Sequence, residues 1–248
     1  TDWMSDTEKV LVLDIETTNS TSSPELLVVG MKERGQANQR RTGGAEGVYE
    51  KVSSAQAKGI LAELEEKQNQ GFKVIVHNGV SFDIRVIRDA ALQGVTNAEE
   101  RANIERQAMR VALRSIDMME NIHAVTGKYA NLKNLAIASQ RHLSDADKVL
   151  KAEETKGSDI ETLFAKARDG DTIAEAQMNE YIDADLDATM ATFIALVDNF
   201  QNNHSIDLTF NRGKRPDGSS IEEVVTIDKV PLKQAGVIGL QGRRTSFD

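Results

Sequence analysis

The pattern of apolar and polar positions divides the chain into short strands and longer helices. Runs of branched apolar residues predict buried strands, and apolar residues three or four apart predict helices. The strands are expected at residues 10–18, 26–31, 47–52, 73–77 and 115–119. Helices are expected at residues 53–69, 84–93, 99–114, 131–139 and 172–200, with a charged helical segment at residues 144–170 and a polar loop at residues 32–44.

The order of these elements predicts an α/β fold, because later strands alternate with helices. After residue 200 the pattern changes to short apolar runs separated by glycines and by two of the three prolines. We therefore treat residues 1–200 as one domain and residues 201–248 as a C-terminal extension of unknown role. A small β element is one interpretation of that extension.

Composition narrows the class of protein. Of the 248 residues, 40% are hydrophobic and 28% charged, which is typical of a globular protein, and no run approaches the roughly 20 apolar residues that span a membrane. The chain has no cysteine and its first residues lack a signal-peptide pattern, so we expect an intracellular protein, cytoplasmic or nucleoid-associated. The net charge of −9 argues against broad electrostatic wrapping of nucleic acid. An acidic pocket that holds divalent cations remains compatible with a nuclease.

The first strand contains a conflict that suggests function. Asp14 and Glu16 lie near the end of an apolar run, where a core would exclude them. Side chains alternate along a strand, so both carboxylates point to one face and Ile15 to the other. Two adjacent negative charges are tolerable with a cation between them, and their oxygens favour Mg²⁺ or Mn²⁺. The strand alone is equally compatible with two ordinary acids in a solvated loop.

Two more acids are candidates for the same site. Asp83 follows a short apolar strand and begins a helix, at the sheet edge where ligands of α/β proteins collect. In the long helix, Tyr181, Asp185 and Thr189 are four residues apart and share a face, whereas Asp183 and Asp187 are expected to face water. An exposed acidic turn is the alternative interpretation of that segment.

The three motifs together resemble a known family. Asp14-Ile15-Glu16, then Asn78-x-x-x-Phe82-Asp83, then Tyr181-x-x-x-Asp185 occur in the order and approximate spacing of the DEDD superfamily of 3′-5′ exonucleases. The resemblance covers roughly residues 9–200 and implies a ribonuclease H-like mixed sheet, three antiparallel strands followed by parallel strands, flanked by helices. It points to the tyrosine subgroup, because Glu180 stands where other members carry a histidine.

The resemblance also implies roles for these residues. Asp14, Glu16, Asp83 and Asp185 would be metal ligands for two divalent ions, Mg²⁺ or Mn²⁺, with Asp14 shared by both. Glu16 and Asp185 would hold the ion that activates water, Asp83 would support the second ion, and Tyr181 would orient the attacking water. The candidate substrate-binding residues are Thr17, Thr18, Asn78 and Phe82.

Each substrate-binding candidate has a structural alternative. Thr17 and Thr18 would offer backbone amides to the terminal nucleotide. Asn78 would bind a sugar or phosphate, or cap the following helix. Phe82 would stack under the terminal base, or belong to the core. The family often has a bulky apolar wedge after the first motif, where this chain has Asn19 and Ser20.

The implied activity is hydrolysis of single-stranded nucleic acid from its 3′ end to nucleoside monophosphates, with DNA favoured over RNA. The sequence has no polymerase motifs, so a proofreading role would require a polymerase or another replication or repair protein as partner. Two alternatives stay open: a non-catalytic module that binds nucleic-acid ends, and a structure-specific endonuclease on the same fold.

Overall fold

The computed structural model describes residues 6–45, 47–140, 156–228 and 232–240. Its strands are β1 Val10–Thr17, β2 Leu26–Glu33, β3 Gln39–Arg41, β4 Lys73–Val76, β5 Ile116–Asp117, β6 Ile206–Lys214 and β7 Ser220–Ile227. Its helices are α1 Ser54–Asn69, α2 Asp83–Leu92, α3 Ala98–Arg114, α4 Met118–Thr126, α5 Leu132–Ser139, α6 Ile160–Arg168, α7 Thr172–Gln201 and α8 Ala235–Leu240, with a 3₁₀ turn at Gly157–Asp159 before α6.

Five strands form one mixed sheet in the order β3-β2-β1-β4-β5. The first three strands are antiparallel, and β4 and β5 run parallel to β1. Strands β6 and β7 form a separate antiparallel hairpin. The predicted α/β class, with antiparallel strands followed by parallel strands and a C-terminal extension, is confirmed.

The two faces of the sheet are buried by different helices. Leu11, Leu13 and Ile15 pack on the side of α1, α2 and α3, whereas Val10 and Val12 pack on the side of α5, α6 and α7. Burying each such side chain stabilises the fold by about 1.5–3 kcal/mol. The alternation of β1 therefore assigns Asp14 and Glu16, which continue the series of Val10 and Val12, to the α7 side.

Three local predictions were wrong: the loop at residues 32–44, the strand at residues 47–52 and the length of the strand at residues 115–119. The third strand is Gln39–Arg41, inside the predicted polar loop, and residues 47–52 form no strand. This strand lies at the edge of the sheet, and its arginines pair with acids on neighbouring helices, Arg40 with Asp183 and Arg41 with Glu63. The predicted strand at residues 115–119 is shortened to β5, because the side chain of Asp117 caps a new helix, α4, from the next residue.

Other predicted elements lie close to their observed bounds. Ser53 is the N-cap of α1, and the expected helix at residues 172–200 is α7. The charged segment predicted at residues 144–170 is described only from residue 156 onward and contains α6; its earlier part lies outside the described residues.

The C-terminal segment packs against the rest of the chain. The Ala235 N–H donates to the carbonyl oxygen of Ser115 over 2.9 Å, and Asn121 exchanges two hydrogen bonds with the backbone of Lys233. Ala235 and Leu232 are buried. The boundary at residue 200 stays a prediction. None of the helices in the described part of the chain combines the length and apolar character that crossing a bilayer requires.

Candidate metal centre

Strand β1 delivers two carboxylates to one point near its C-terminal end. Asp14 is half-buried, and Glu16 has only 9% of its surface exposed. The pairing of β1 with β2 shifts register between Glu16 and Thr17, which is a β-bulge next to the acids. Bulges turn side chains away from regular alternation and often lie beside functional sites.

Helix α7 brings the third carboxylate. Asp185 has 7% of its surface exposed, and one oxygen each of Asp14, Glu16 and Asp185 lies within 4.8 Å of the other two. Asp14 and Asp185 are 171 residues apart in sequence, so only the tertiary fold brings them together. Burial of like charges this close is costly without a cation, and three carboxylate oxygens are a suitable donor set for Mg²⁺ or Mn²⁺.

A glycine permits this approach of α7 to the sheet. Gly30 pairs with Asp14 across the β1–β2 ladder. A Cβ atom at Gly30 would lie 3.1 Å from side-chain carbons of both Ile182 and Leu186 on α7. A larger residue at position 30 would therefore require these side chains, on the helix that carries Asp185, to shift by a few tenths of an ångström. No sequence pattern distinguishes Gly30 from other glycines.

Asp83 lies at the start of α2 and belongs to the same electrostatic group. It has 6% of its surface exposed. Burial, followed by the negative charges of Asp14 and Asp117, raises the pKa of Asp83 well above its ordinary value. The structure thus places Asp83 close enough to Asp14 for their charges to interact, while the cluster of oxygens within 4.8 Å consists of Asp14, Glu16 and Asp185.

Tyr181 lies one helical turn before Asp185 on the buried face of α7, with 8% of its surface exposed. A Cβ atom at Gly157 would lie 3.1 Å from the Tyr181 hydroxyl oxygen. Gly157 belongs to the 3₁₀ turn before α6, so this turn covers the phenol. Because Gly157 has no side chain, there is room for the Tyr181 hydroxyl group beside this turn.

The four substrate-binding candidates differ in their surroundings. The Thr18 N–H donates to the Glu25 carbonyl oxygen over 3.0 Å, so this amide is already used within the protein. The Thr17 hydroxyl donates to the Thr18 carbonyl oxygen. Asn78 is exposed and does not cap α2, because the N-cap position belongs to Phe82 and the Asn78 side chain accepts from Ser81.

Phe82 is half-buried and packs against the core on the α1 side of the sheet. This packing agrees with the alternative that Phe82 belongs to the core, and part of the residue stays accessible to solvent. The roles of Thr17, Thr18, Asn78 and Phe82 toward a nucleotide stay predictions.

The remaining acids of the long helix do not simply face water, as the sequence had suggested. Asp183 pairs with Arg40 on β3, and Asp187 pairs with Lys32 on β2; both acids are half-exposed. These two ion pairs lie on the partly exposed side of α7, whereas Asp185 belongs to its buried face. The sequence shows the acidic series but not the bases that neutralise its outer members.

A cavity of about 660 Å³ lies between β3 and the first half of α7, and none of the four candidate metal ligands lines it. Its lining includes Val28, which pairs with Glu16 across the ladder, together with Arg40, Arg41, Tyr49 and Asn179. The Tyr49 hydroxyl donates to Glu175 over 2.6 Å. Burial and this carboxylate raise the pKa of Tyr49. The lining is polar and of mixed charge, because Arg40 and Arg41 already pair with Asp183 and Glu63, and Glu175 adds a carboxylate.

Comparisons with known proteins add the following. No family model matches the sequence, and no curated protein matches it. Among solved structures, the chain is similar to the structure of the family B DNA polymerase from the hyperthermophilic archaeon Pyrobaculum calidifontis, with a TM-score of 0.48 and 15% sequence identity. The match covers 76% of this chain and 24% of that chain. The chain thus spans about a quarter of the polymerase, and a similarity of this degree does not assign a function.

Proposed function

We propose that the protein is a metal-dependent 3′-5′ exonuclease that hydrolyses single-stranded nucleic acid to nucleoside monophosphates. The observation that carries this proposal is the convergence of Asp14, Glu16 and Asp185 within 4.8 Å, from elements far apart in sequence. The interaction of Asp83 with Asp14 supports it. Membership of the DEDD exonuclease superfamily and its tyrosine subgroup is part of the proposal.

The arrangement suits two cations that share Asp14. Asp14 is the common member, because its oxygen is within 4.8 Å of those of Glu16 and Asp185 and its charge also acts on Asp83. Glu16 and Asp185 would hold one ion with it, and Asp83 would hold the other. Divalent ions bound there would supply charge neutralisation for the phosphate and would make a water molecule more acidic.

Tyr181 would orient the attacking water. A phenol has an ordinary pKa near 10 and is a weak base at neutral pH, so its contribution is position rather than proton removal. Tyr181 is buried on the face of α7 that carries Asp185, which restricts the movement of the ring. The hydroxyl can therefore act as a fixed hydrogen-bonding group beside Asp185.

The cavity along β3 would take the nucleotides that precede the 3′ end. Arg40 and Arg41 line it in ion pairs with Asp183 and Glu63, and a phosphate of the strand would compete with these carboxylates for the guanidinium groups. The residue after the first motif carries no apolar wedge: the Asn19 N–H donates to Glu161 over 2.8 Å and the Asn19 side chain donates to the Ser158 carbonyl oxygen over 3.0 Å. We therefore propose a strand that is already single, delivered by a polymerase or another replication or repair protein where the template is double-stranded.

The test is digestion of matched 5′-labelled single-stranded DNA and RNA with Mg²⁺ or Mn²⁺. Stepwise shortening from the 3′ end, with release of nucleoside monophosphates, is expected, and it should be faster on DNA. Asp14→Asn should abolish it, while Glu180→Gln, which neutralises an exposed acid on α7, should not change it.

A circular single strand of the same sequence completes the test. Cleavage of the circle would contradict an exonuclease and favour an endonuclease. Tight binding of the linear strand without shortening, under either metal, would refute catalysis and favour a module that binds ends.

A further inference from the structure

Asp117, at the end of β5, is a fully buried carboxylate with 0% of its surface exposed. Burial, together with the charge of Glu120, raises the pKa of Asp117 to about 6, against the opposing effect of backbone N–H groups. Burying a carboxylate costs free energy unless it is hydrogen-bonded, so the groups that donate to Asp117 indicate its role.

The two oxygens of Asp117 join two separate parts of the chain. Oδ1 accepts the N–H groups of Met119 at 3.0 Å and Glu120 at 3.3 Å, which caps α4. The same oxygen accepts the Asn78 N–H at 2.9 Å, and Oδ2 accepts the Val80 N–H at 3.1 Å. Asn78 and Val80 lie in the loop between β4 and α2, which ends at Asp83.

This loop has a backbone that needs support. Asn78 has a φ of 65°, which is uncommon for a residue other than glycine. A Cβ atom at Gly79 would lie 2.5 Å from Cβ of Val76 and 2.9 Å from Oδ2 of Asp83. The loop therefore folds tightly under the Asp83 carboxylate, in a conformation that surrounding contacts must maintain.

We infer that Asp117 is a positioning residue that holds the β4–α2 loop and thereby sets the place of Asp83 for cation binding. Its catalytic consequence rests on the proposed function. Helix capping alone does not explain the arrangement, because two of the four N–H groups belong to another loop. Asp171, by comparison, caps α7 by accepting only from Ile173 and Ala174 at the start of that helix.

The substitution Asp117→Asn separates capping from positioning. The Asn oxygen can replace Oδ1 and keep its three bonds, whereas the amide nitrogen would face the Val80 N–H, donor against donor. Asp117→Ser is the second variant, since a serine caps α4 well but is too short to replace both oxygens. Asp171→Asn is the matched control for a cap without a loop contact.

The readouts are hydrogen exchange of the Asn78 and Val80 amides, the Mn²⁺-induced rise in melting temperature, and steady-state kinetics on a single-stranded oligonucleotide. For Asp117→Asn we expect faster exchange and a smaller Mn²⁺ effect. We also expect a kcat about 10- to 100-fold lower, with KM within about two-fold and a higher metal concentration for half-maximal rate, because small displacements cost this much. Asp171→Asn should leave exchange in the loop and the metal response unchanged.

Each result decides one question. Unchanged loop exchange in both Asp117 variants, or faster exchange with an unchanged response to Mn²⁺, would overturn the inference. If the unsubstituted protein shortens no oligonucleotide, the proposed function fails, and exchange and the Mn²⁺ response still decide whether Asp117 positions Asp83. If Asp117→Asn does not fold, Asp117→Ser supplies the same comparison.

Discussion

The substitution Asp14→Asn should stabilise the protein without metal and destabilise it, relative to the unsubstituted chain, when metal is present. Asp14 is the member of the cluster whose charge acts on Glu16, Asp185 and Asp83. Asparagine keeps the shape of the side chain and removes its charge. A site built to hold cations should therefore gain stability from the change as long as no cation is bound.

The magnitude follows from the separation of the charges. Two unit charges 4.8 Å apart, the limit found for these oxygens, repel by about 3.5 kcal/mol at an effective dielectric constant of about 20. Asp14 takes part in two such pairs, so the repulsion in the fully ionised cluster is on the order of 7 kcal/mol. Proton uptake by the carboxylates and exposure of Asp14 to solvent reduce this value. We expect the free energy of unfolding to rise by about 1–3 kcal/mol, or about 3–10 °C in melting temperature.

Metal reverses the order. A cation at 1,000 times its dissociation constant stabilises the folded protein by about 4.1 kcal/mol, which exceeds the gain expected from the substitution, and loss of the shared ligand should remove most of that effect. The assay is thermal unfolding at pH 7 in EDTA and in a Mn²⁺ series, for the unsubstituted protein, Asp14→Asn and the exposed control Glu180→Gln. The control should lie within about 0.5 kcal/mol of the unsubstituted protein in both conditions.

One result would refute this reasoning. If Asp14→Asn folds normally but melts below the unsubstituted protein in EDTA and gains the same stabilisation from Mn²⁺, the cluster is neither repulsive nor a metal site. The proposal of a metal-dependent nuclease would then lose its basis.

Three further predictions follow from individual contacts. Gly30→Ala should lower the free energy of unfolding by about 1–3 kcal/mol in a denaturant titration, because the added methyl group meets Ile182 and Leu186. It should also weaken the Mn²⁺-induced rise in melting temperature. An unchanged rise would show that α7 can move without disturbing Asp185. Tyr181→Phe should reduce kcat about 10- to 100-fold while the Mn²⁺-induced stabilisation is kept, since the change removes only the hydroxyl that we propose to orient water. Equal loss of metal binding would contradict this proposal. The pKa of Asp117 is about 6 in the folded protein, which is higher than the pKa of an aspartate in the unfolded chain. The folded state therefore binds more protons between about pH 4 and about pH 6, and in EDTA the free energy of unfolding should fall as pH rises through that range. Asp117→Asn should remove up to about 3 kcal/mol of that dependence in urea titrations across the range, and an identical pH profile would refute the assignment.

The sequence by itself determined the elements whose signals are local. Alternation along β1 predicted that Asp14 and Glu16 share one face, and helical spacing in α7 predicted that Tyr181 and Asp185 share another. Both predictions agree with the burial of these residues. A periodic pattern of apolar residues is enough for this, because it states which side of an element avoids water.

Only the tertiary structure decided which surfaces meet. The acids that pair with Arg41 and Arg40 of β3 come from α1 and α7, and no pattern within the strand contains them. The same holds for Gly30, whose importance arises from a helix about 150 residues later in the sequence. It also holds for Asp117, whose four N–H donors come from the β4–α2 loop and from the first turn of α4. Contacts between distant segments depend on how elements pack, and packing is a property of pairs of surfaces rather than of either sequence alone.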